Sequence, residues 1–173
     1  MSSPVGATDA DSGATTGVTA LYQAHAVGLI RLAIVMLGDC GAAEDVVQDA
    51  FLGLYRHWGG LDDPANALTY VRSAVLNRCR NELRQRGKPG RGQGVAMSGE
   101  SAEAAVLIGE EHQRVLAAIR ALPERQREAL VLRFYLDMSE EEAARAMGIS
   151  RGTVKSATSR AVAALGRMLK EGT

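Results

Sequence analysis

Between residues 87 and 100 the chain carries five glycines (Gly87, Gly90, Gly92, Gly94, Gly99) and Pro89. A stretch this rich in glycine cannot hold a helix or bury side chains, so it divides the chain into two folding units. On either side of it the apolar residues recur at helical spacing, with no hairpin signal and no internal repeat. A chain of 173 residues leaves both units small. The expectation is an all-α protein with helical domains at 19–86 and 103–170 and a flexible linker at 87–102. Residues 1–18 are mostly small or polar, too poor in large apolar side chains to offset the entropy of ordering, and read as a loose tail.

Within the first domain Leu21, Leu29, Leu32, Ala33 and Met36 share one face of a first helix, which breaks at Gly38 and Gly41. A second helix, about Ala42 to Trp58, repeats an i, i+1, i+4 stripe through Val46, Val47, Ala50, Phe51, Leu54, Tyr55 and Trp58. Asp62-Asp63-Pro64 reads as a turn and a helix start. A third helix, about Ala65 to Gln85, turns Leu68, Val71, Val75, Leu76 and Leu83 inward. Tyr22, Phe51, Tyr55 and Trp58 read as core. In the second domain a helical pattern runs from about Ser101, through Val106, Leu107, Val115, Leu116 and Ile119, to Ala121. Leu122-Pro123 breaks it, and a further helix covers Glu124 to Tyr135.

The last segment, Ser139 to Lys155, has the anatomy of a helix-turn-helix. Ser139 caps a short helix, Ala143 is small where two helices cross, and Gly148 sits in a tight turn that favours φ > 0. Ser150 caps the next helix, and Ile149 and Val154 fill the space between the two. Such a motif lays its second helix in the DNA major groove. Residues 150–170 carry Arg151, Lys155, Arg160, Arg167 and Lys170 and no acid. Thr153, Ser156, Thr158 and Ser159 add short polar groups able to approach base edges or phosphates. The same residues would also suit a solvated basic face.

Charge is distributed unevenly. Lys plus Arg and Asp plus Glu both number 20, so a uniformly basic nucleic-acid coat is excluded while a local patch is not. Residues 43–63 hold five acids and one base, a face suited to a basic helical partner or simply to water. Residues 77–92 hold six bases against Glu82 alone, with Asn77, Asn81 and Gln85 interleaved, which suits phosphates and bases. Cys40 and Cys79 do not make a disulfide scaffold and read as small buried residues. The three histidines are scattered without metal-ligand spacing, so no metal, cofactor or catalytic set is expected. The apolar runs are too short to span a bilayer and no signal peptide is visible, which reads as a cytoplasmic chain without membrane insertion.

Three phrases, taken in order, resemble the extracytoplasmic-function (group 4) sigma factors of bacterial RNA polymerase, within the sigma-70 family. Gly38 to Phe51 is similar to sigma region 2.2, Leu122 to Arg133 to the start of region 4, and Gly152 to Ala161 to its recognition helix. The resemblance implies that Asp45, Gln48, Asp49 and Leu52 dock on the clamp helices of the β′ subunit of core RNA polymerase. It places Asn77, Arg80, Asn81 and Arg84 on the −10 element of promoter DNA, and the loop Gly59 to Ala67 around a flipped base. It assigns Lys155, Ser156, Ser159 and Arg160 to the −35 element, with Arg151 and Thr153 near its phosphates. It also implies contact with the β flap and, as in many relatives, an anti-sigma factor. A different class of protein, a conventional helix-turn-helix regulator that binds duplex DNA without the polymerase, would be expected to self-associate and to bind DNA tightly alone.

Overall fold

Two caps and a glycine open the fold. In the computed structural model, which describes residues 6–87 and 109–171, helix α1 (Gly6–Leu37) ends at Gly38, whose φ of 72° lets its N–H donate to the Ile34 carbonyl at 2.7 Å. Asp39 then caps α2 (Cys40–His57) by accepting from the Ala42 N–H at 2.9 Å. The chain leaves α2 through two 3-10 turns, Trp58–Gly60 and Pro64–Asn66, the second capped by Asp63, and enters α3 (Ala67–Arg86).

These three helices bury the faces that their spacing indicates. Leu29, Leu32, Ala33 and Met36 of α1 share a core with Val47, Ala50, Phe51 and Leu54 of α2 and Val71, Val75, Leu76 and Cys79 of α3. Each large side chain so buried contributes about 1.5–3 kcal/mol. Tyr22 meets Phe51 edge-on at 5.0 Å between centroids. Yet Tyr22 and Tyr55 are themselves exposed, against the expectation that both are core. Each lies beside the buried stripe rather than on it.

The expected tail is a second correction. Residues 6–18 already belong to α1, and residues 1–5 lie outside the described residues. Ala14 is buried and Val18 packs on the core, while Gly17 has no room for a Cβ, which would lie 2.2 Å from the Trp58 indole. The missing side chain at Gly17 lets the helix pass close to Trp58, so this small residue is a packing feature. Read as one helix, Ser12–Leu37 is also long and apolar enough to cross a membrane by length and composition, unlike the short runs counted in the sequence. Its Leu29, Leu32, Ala33 and Met36 face is taken up by the bundle core.

In the second domain α4 (Glu110–Ala121) stops where Leu122 turns extended, and α5 (Glu124–Leu130) follows Pro123. Leu122 is buried with Leu130 and Ala161. The helix expected to run to Tyr135 widens instead into one π turn, Val131–Tyr135. Helix α6 (Glu140–Met147) opens on a reciprocal capping box, with the Ser139 N–H on Glu142 at 2.7 Å and the Glu142 N–H on the Ser139 hydroxyl at 3.1 Å. Gly148 at φ 65° closes α6, and Ser150 caps α7 (Arg151–Glu171) through the Thr153 N–H at 3.1 Å. Ala143 and Val154 are fully buried between the two helices. The proposed linker, and the start of the helix expected from Ser101 with Val106 and Leu107, lie outside the described residues.

The two domains meet. Ala129, Leu132, Met138, Ala143 and Met147 join the same apolar cluster as Val71, Leu76 and Cys79, and Arg127 donates to the Met36 carbonyl at 3.0 Å. Gly148→Ala places a Cβ in left-handed backbone and is expected to cost the helix-turn-helix about 1–2 kcal/mol, read as a lowered melting temperature with unchanged native helicity.

Candidate functional site

Helix α2 turns two faces in opposite directions. Val46, Val47, Ala50, Phe51 and Leu54 go inward, which leaves Asp45, Gln48, Asp49 and Leu52 outward at i, i+3, i+4 and i+7. All four are exposed, Leu52 by 52%, so the predicted partner face is one continuous strip of acid, amide and leucine. An open groove of about 390 Å³ lies alongside, lined by Val18, Tyr22, Gln48, Phe51, Leu52 and Tyr55. Tyr22 and Tyr55, read from sequence as core, thus flank the predicted face. Their spacing of three and seven from Leu52 and Gln48 is a signal that was present in the sequence of α2 for Tyr55 only.

The recognition helix is as open. Arg151, Thr153, Lys155, Ser156, Ser159 and Arg160 are all exposed on α7, while Val154, Ala157 and Ala161 hold the helix to its domain. Lys155, Ser156, Ser159 and Arg160 share one outward face by helical spacing. Thr153 and Arg151 are partly engaged. The Thr153 and Ser150 hydroxyls are hydrogen-bonded at 2.7 Å, and Arg151 reaches Glu141 at 3.3 Å and Glu140 at 4.0 Å. Thr158 donates to the Val154 carbonyl at 2.8 Å and so points back along the helix.

The third predicted set divides. Asn77, Asn81 and Arg84 are exposed on α3, but Arg80 is only 8% exposed. Its Nε donates to Glu128 Oε1 at 2.6 Å and its Nη2 to Glu128 Oε2 at 2.5 Å. Its Nη1 donates to Asn77 Oδ1 at 2.7 Å, and Glu124 stands 3.6 Å away. The hydrogen bonds it donates to Glu128 hold Arg80 more firmly protonated than usual. Arg80 therefore does not present itself to DNA with the other three, contrary to the sequence expectation, because α5 covers it. Glu128, fully buried, was missed altogether. An acid followed directly by Ala129, Leu130, Val131 and Leu132 was the available signal.

The loop expected to take a flipped base leaves Gly59, Gly60 and residues 62–66 exposed, with Leu61 half-buried. Cys79 is buried, and burial pushes its thiol up to about 12, with the nearby Glu128 carboxylate adding to the effect. Cys40 is half-buried. Among the described residues no group of three or more His, Cys, Asp or Glu is placed to hold a metal ion.

The chain matches two family descriptions, "Sigma-70 region 2" over residues 21–88 and "Sigma-70, region 4" over residues 112–165. It belongs to the sigma-70 family, as an extracytoplasmic-function RNA polymerase sigma factor. It is 31% identical over 137 residues to the RNA polymerase sigma-E factor of Streptomyces avermitilis, covering 79% of this chain and 76% of that one. Against the ECF RNA polymerase sigma factor SigL of Mycobacterium tuberculosis it is 31% identical over 157 residues, 88% of both chains. Among solved structures, CnrH in complex with the cytosolic domain of CnrY is 27% identical with a TM-score of 0.74 over 96% of both chains. The sigma factor RpoE of Bartonella quintana, in complex with the anti-sigma factor NepR, shares the fold with a TM-score of 0.63 at 22% identity. This sigma factor directs transcription initiation, as its family does by binding core RNA polymerase and promoter DNA.

The thiols give a check on the burial of α3. With Cys79 raised to about 12, only about one in 10⁴ of its thiols is ionised at pH 8, before access is considered. A thiol-reactive dye at pH 8 is expected to label Cys40 rapidly and Cys79 only after unfolding. Equal native labelling rates, read by peptide mapping, would contradict the buried placement.

Proposed function

We propose that α2 docks this sigma factor on core RNA polymerase through Asp45, Gln48, Asp49 and Leu52, while α7 reads the −35 element through Lys155, Ser156, Ser159 and Arg160. Arg151 and Thr153 hold the adjoining phosphates. Asn77, Asn81 and Arg84 contact the −10 element, joined by Arg80 once it is uncovered. In this reading 19–86 and 103–170 are the two working domains and 87–102 links them.

The observation that carries the reading is the exposed strip on α2. An exposed acidic and leucine-bearing helix face beside a DNA-binding domain suits a subunit that docks on a larger assembly, while a regulator acting without the polymerase would use it for self-association. Carboxylates at Asp45 and Asp49 steer a basic helical partner, and the Leu52 side chain supplies apolar area at the centre of the contact. On α7 the two cations and two hydroxyls offer the donors that base edges and phosphates accept.

The chain acts in the cytoplasm and contributes no catalysis of its own. Support comes from its family, whose members are soluble transcription proteins not known as enzymes. An anti-sigma factor is a further partner, supported by the likeness to CnrH, which was solved with the cytosolic domain of CnrY bound.

Capture of core polymerase by the tagged chain tests the α2 assignment. Wild type is expected to retain polymerase and Asp45→Arg/Gln48→Ala to lose it at unchanged helicity. Retention by the variant, or tight duplex DNA binding by the free chain with no capture at all, would favour the conventional regulator. In run-off transcription, Lys155→Ala and Arg160→Ala are each expected to lower promoter use by about 10- to 100-fold, matching roughly 1–3 kcal/mol per lost base contact, with polymerase capture intact.

A further inference from the structure

One buried ion pair joins the two domains, and it uses an arginine of the surface assigned to the −10 element. Arg80 of α3 gives two N–H groups to Glu128 of α5 at 2.6 and 2.5 Å, and Glu128 is wholly buried. Around it α6 packs on α3, and Arg127 bonds the Met36 carbonyl. The Asn77 amide oxygen is drawn into the same network at 2.7 Å. The acidic and leucine-bearing strip of α2 and the recognition face of α7 stay exposed in this arrangement.

We propose that the Arg80–Glu128 pair is an internal latch that holds the two domains closed, with the Glu128 carboxylate standing where an anionic group of the DNA would otherwise meet Arg80. The DNA part of this rests on the −10 assignment of α3; the latch does not. The chemistry suits a reversible catch. Taking two charges out of water costs nearly as much as their attraction returns, so the closed pair contributes little net stability over two solvated side chains. Removing one partner has a larger effect, because closure then buries Glu128 unpaired or leaves Arg80 with only the Asn77 amide and the more distant Glu124. Closure is thus specified by matching charge, while the shared apolar cluster supplies its favourable energy. Separation of the domains on a large partner such as the polymerase releases Arg80, the partner's contacts offsetting the apolar surface that opening exposes. The free chain shows its polymerase strip and its recognition helix and withholds one cation of the −10 surface.

Small-angle X-ray scattering of the full chain tests the latch without DNA. A closed chain of this length has a radius of gyration of about 16 Å, and opening adds several Å. Wild type is expected near the closed value and Glu128→Gln well above it, at equal helicity by circular dichroism. A wild type already expanded, or a Glu128→Gln chain as compact as wild type, would overturn the latch. If Glu128→Gln loses helicity, Arg80→Gln decides by the same radius, since it alters the other domain. A second arm uses fluorescence anisotropy with a short labelled single-stranded oligonucleotide. Glu128→Gln is expected to bind at least several-fold more tightly than wild type, and Glu128→Gln/Arg80→Gln to lose that gain. A radius that rises with no gain in binding upholds the latch and removes Arg80 from the DNA surface. A radius that does not rise overturns the latch and leaves the −10 assignment standing.

Discussion

The guanidinium of Arg80, almost buried, and the carboxylate of Glu128, wholly buried, are bonded across the two domains within their shared apolar cluster. Burying either charge alone would be prohibitive, so the surrounding apolar contacts form only with both present and in register. The apolar cluster running from Val71 and Cys79 into Leu132 and Met147 is continuous because the one polar site within it is satisfied. Position also matters. Arg80 lies one turn from Asn77 and Arg84 on α3, so whatever covers it also borders the surface proposed for the −10 element.

Local structure was legible wherever a single residue type has a single physical use. Ser139 and Glu142 form the capping box, Gly148 takes the left-handed turn, and Asp63-Pro64 starts a helical turn, because caps and turns are decided within a few residues. The outward faces of α2 and α7 were legible for a related reason: helical spacing fixes which side chains oppose a buried stripe. Residues 6–18 were misread because small residues carry opposite meanings in a tail and in a close helix contact. The Trp58 indole against Gly17, with Ala14 buried and Val18 on the core, distinguishes the two. Arg80 was misplaced for a deeper reason. Helical periodicity describes one helix against one core, and the partner of Arg80 comes from another domain, 48 residues away in sequence.

The π turn at Val131–Tyr135 shows how one extra residue redirects an element. The Leu136 N–H bonds back to the Val131 carbonyl at 3.1 Å, and the Met138 N–H reaches Leu132 at 3.0 Å. Arg133 donates to the Met138 carbonyl and closes the same corner. The widened turn keeps Val131 and Leu132 buried while Phe134 and Tyr135 swing outward, Phe134 to 67% exposure. Widened turns of this kind cluster at working surfaces. Here the turn also sets the approach of Ser139, and so the start of the helix-turn-helix.

Zero net charge fits a protein that binds DNA only as one part of a larger assembly. Its acids fall into separate physical roles. Asp45 and Asp49 face outward on α2, Glu140 and Glu141 hold Arg151 at the entrance of the recognition helix, and Glu128 is spent inside on Arg80. A free DNA-binding domain would be penalised by each of them, since every carboxylate near the duplex opposes the phosphates. In an assembly whose other subunits also hold the DNA, such acids serve instead as partner faces and as ion-pair partners. The zero balance of the chain is therefore compatible with DNA binding, and in the proposed latch Arg80 is held against a carboxylate.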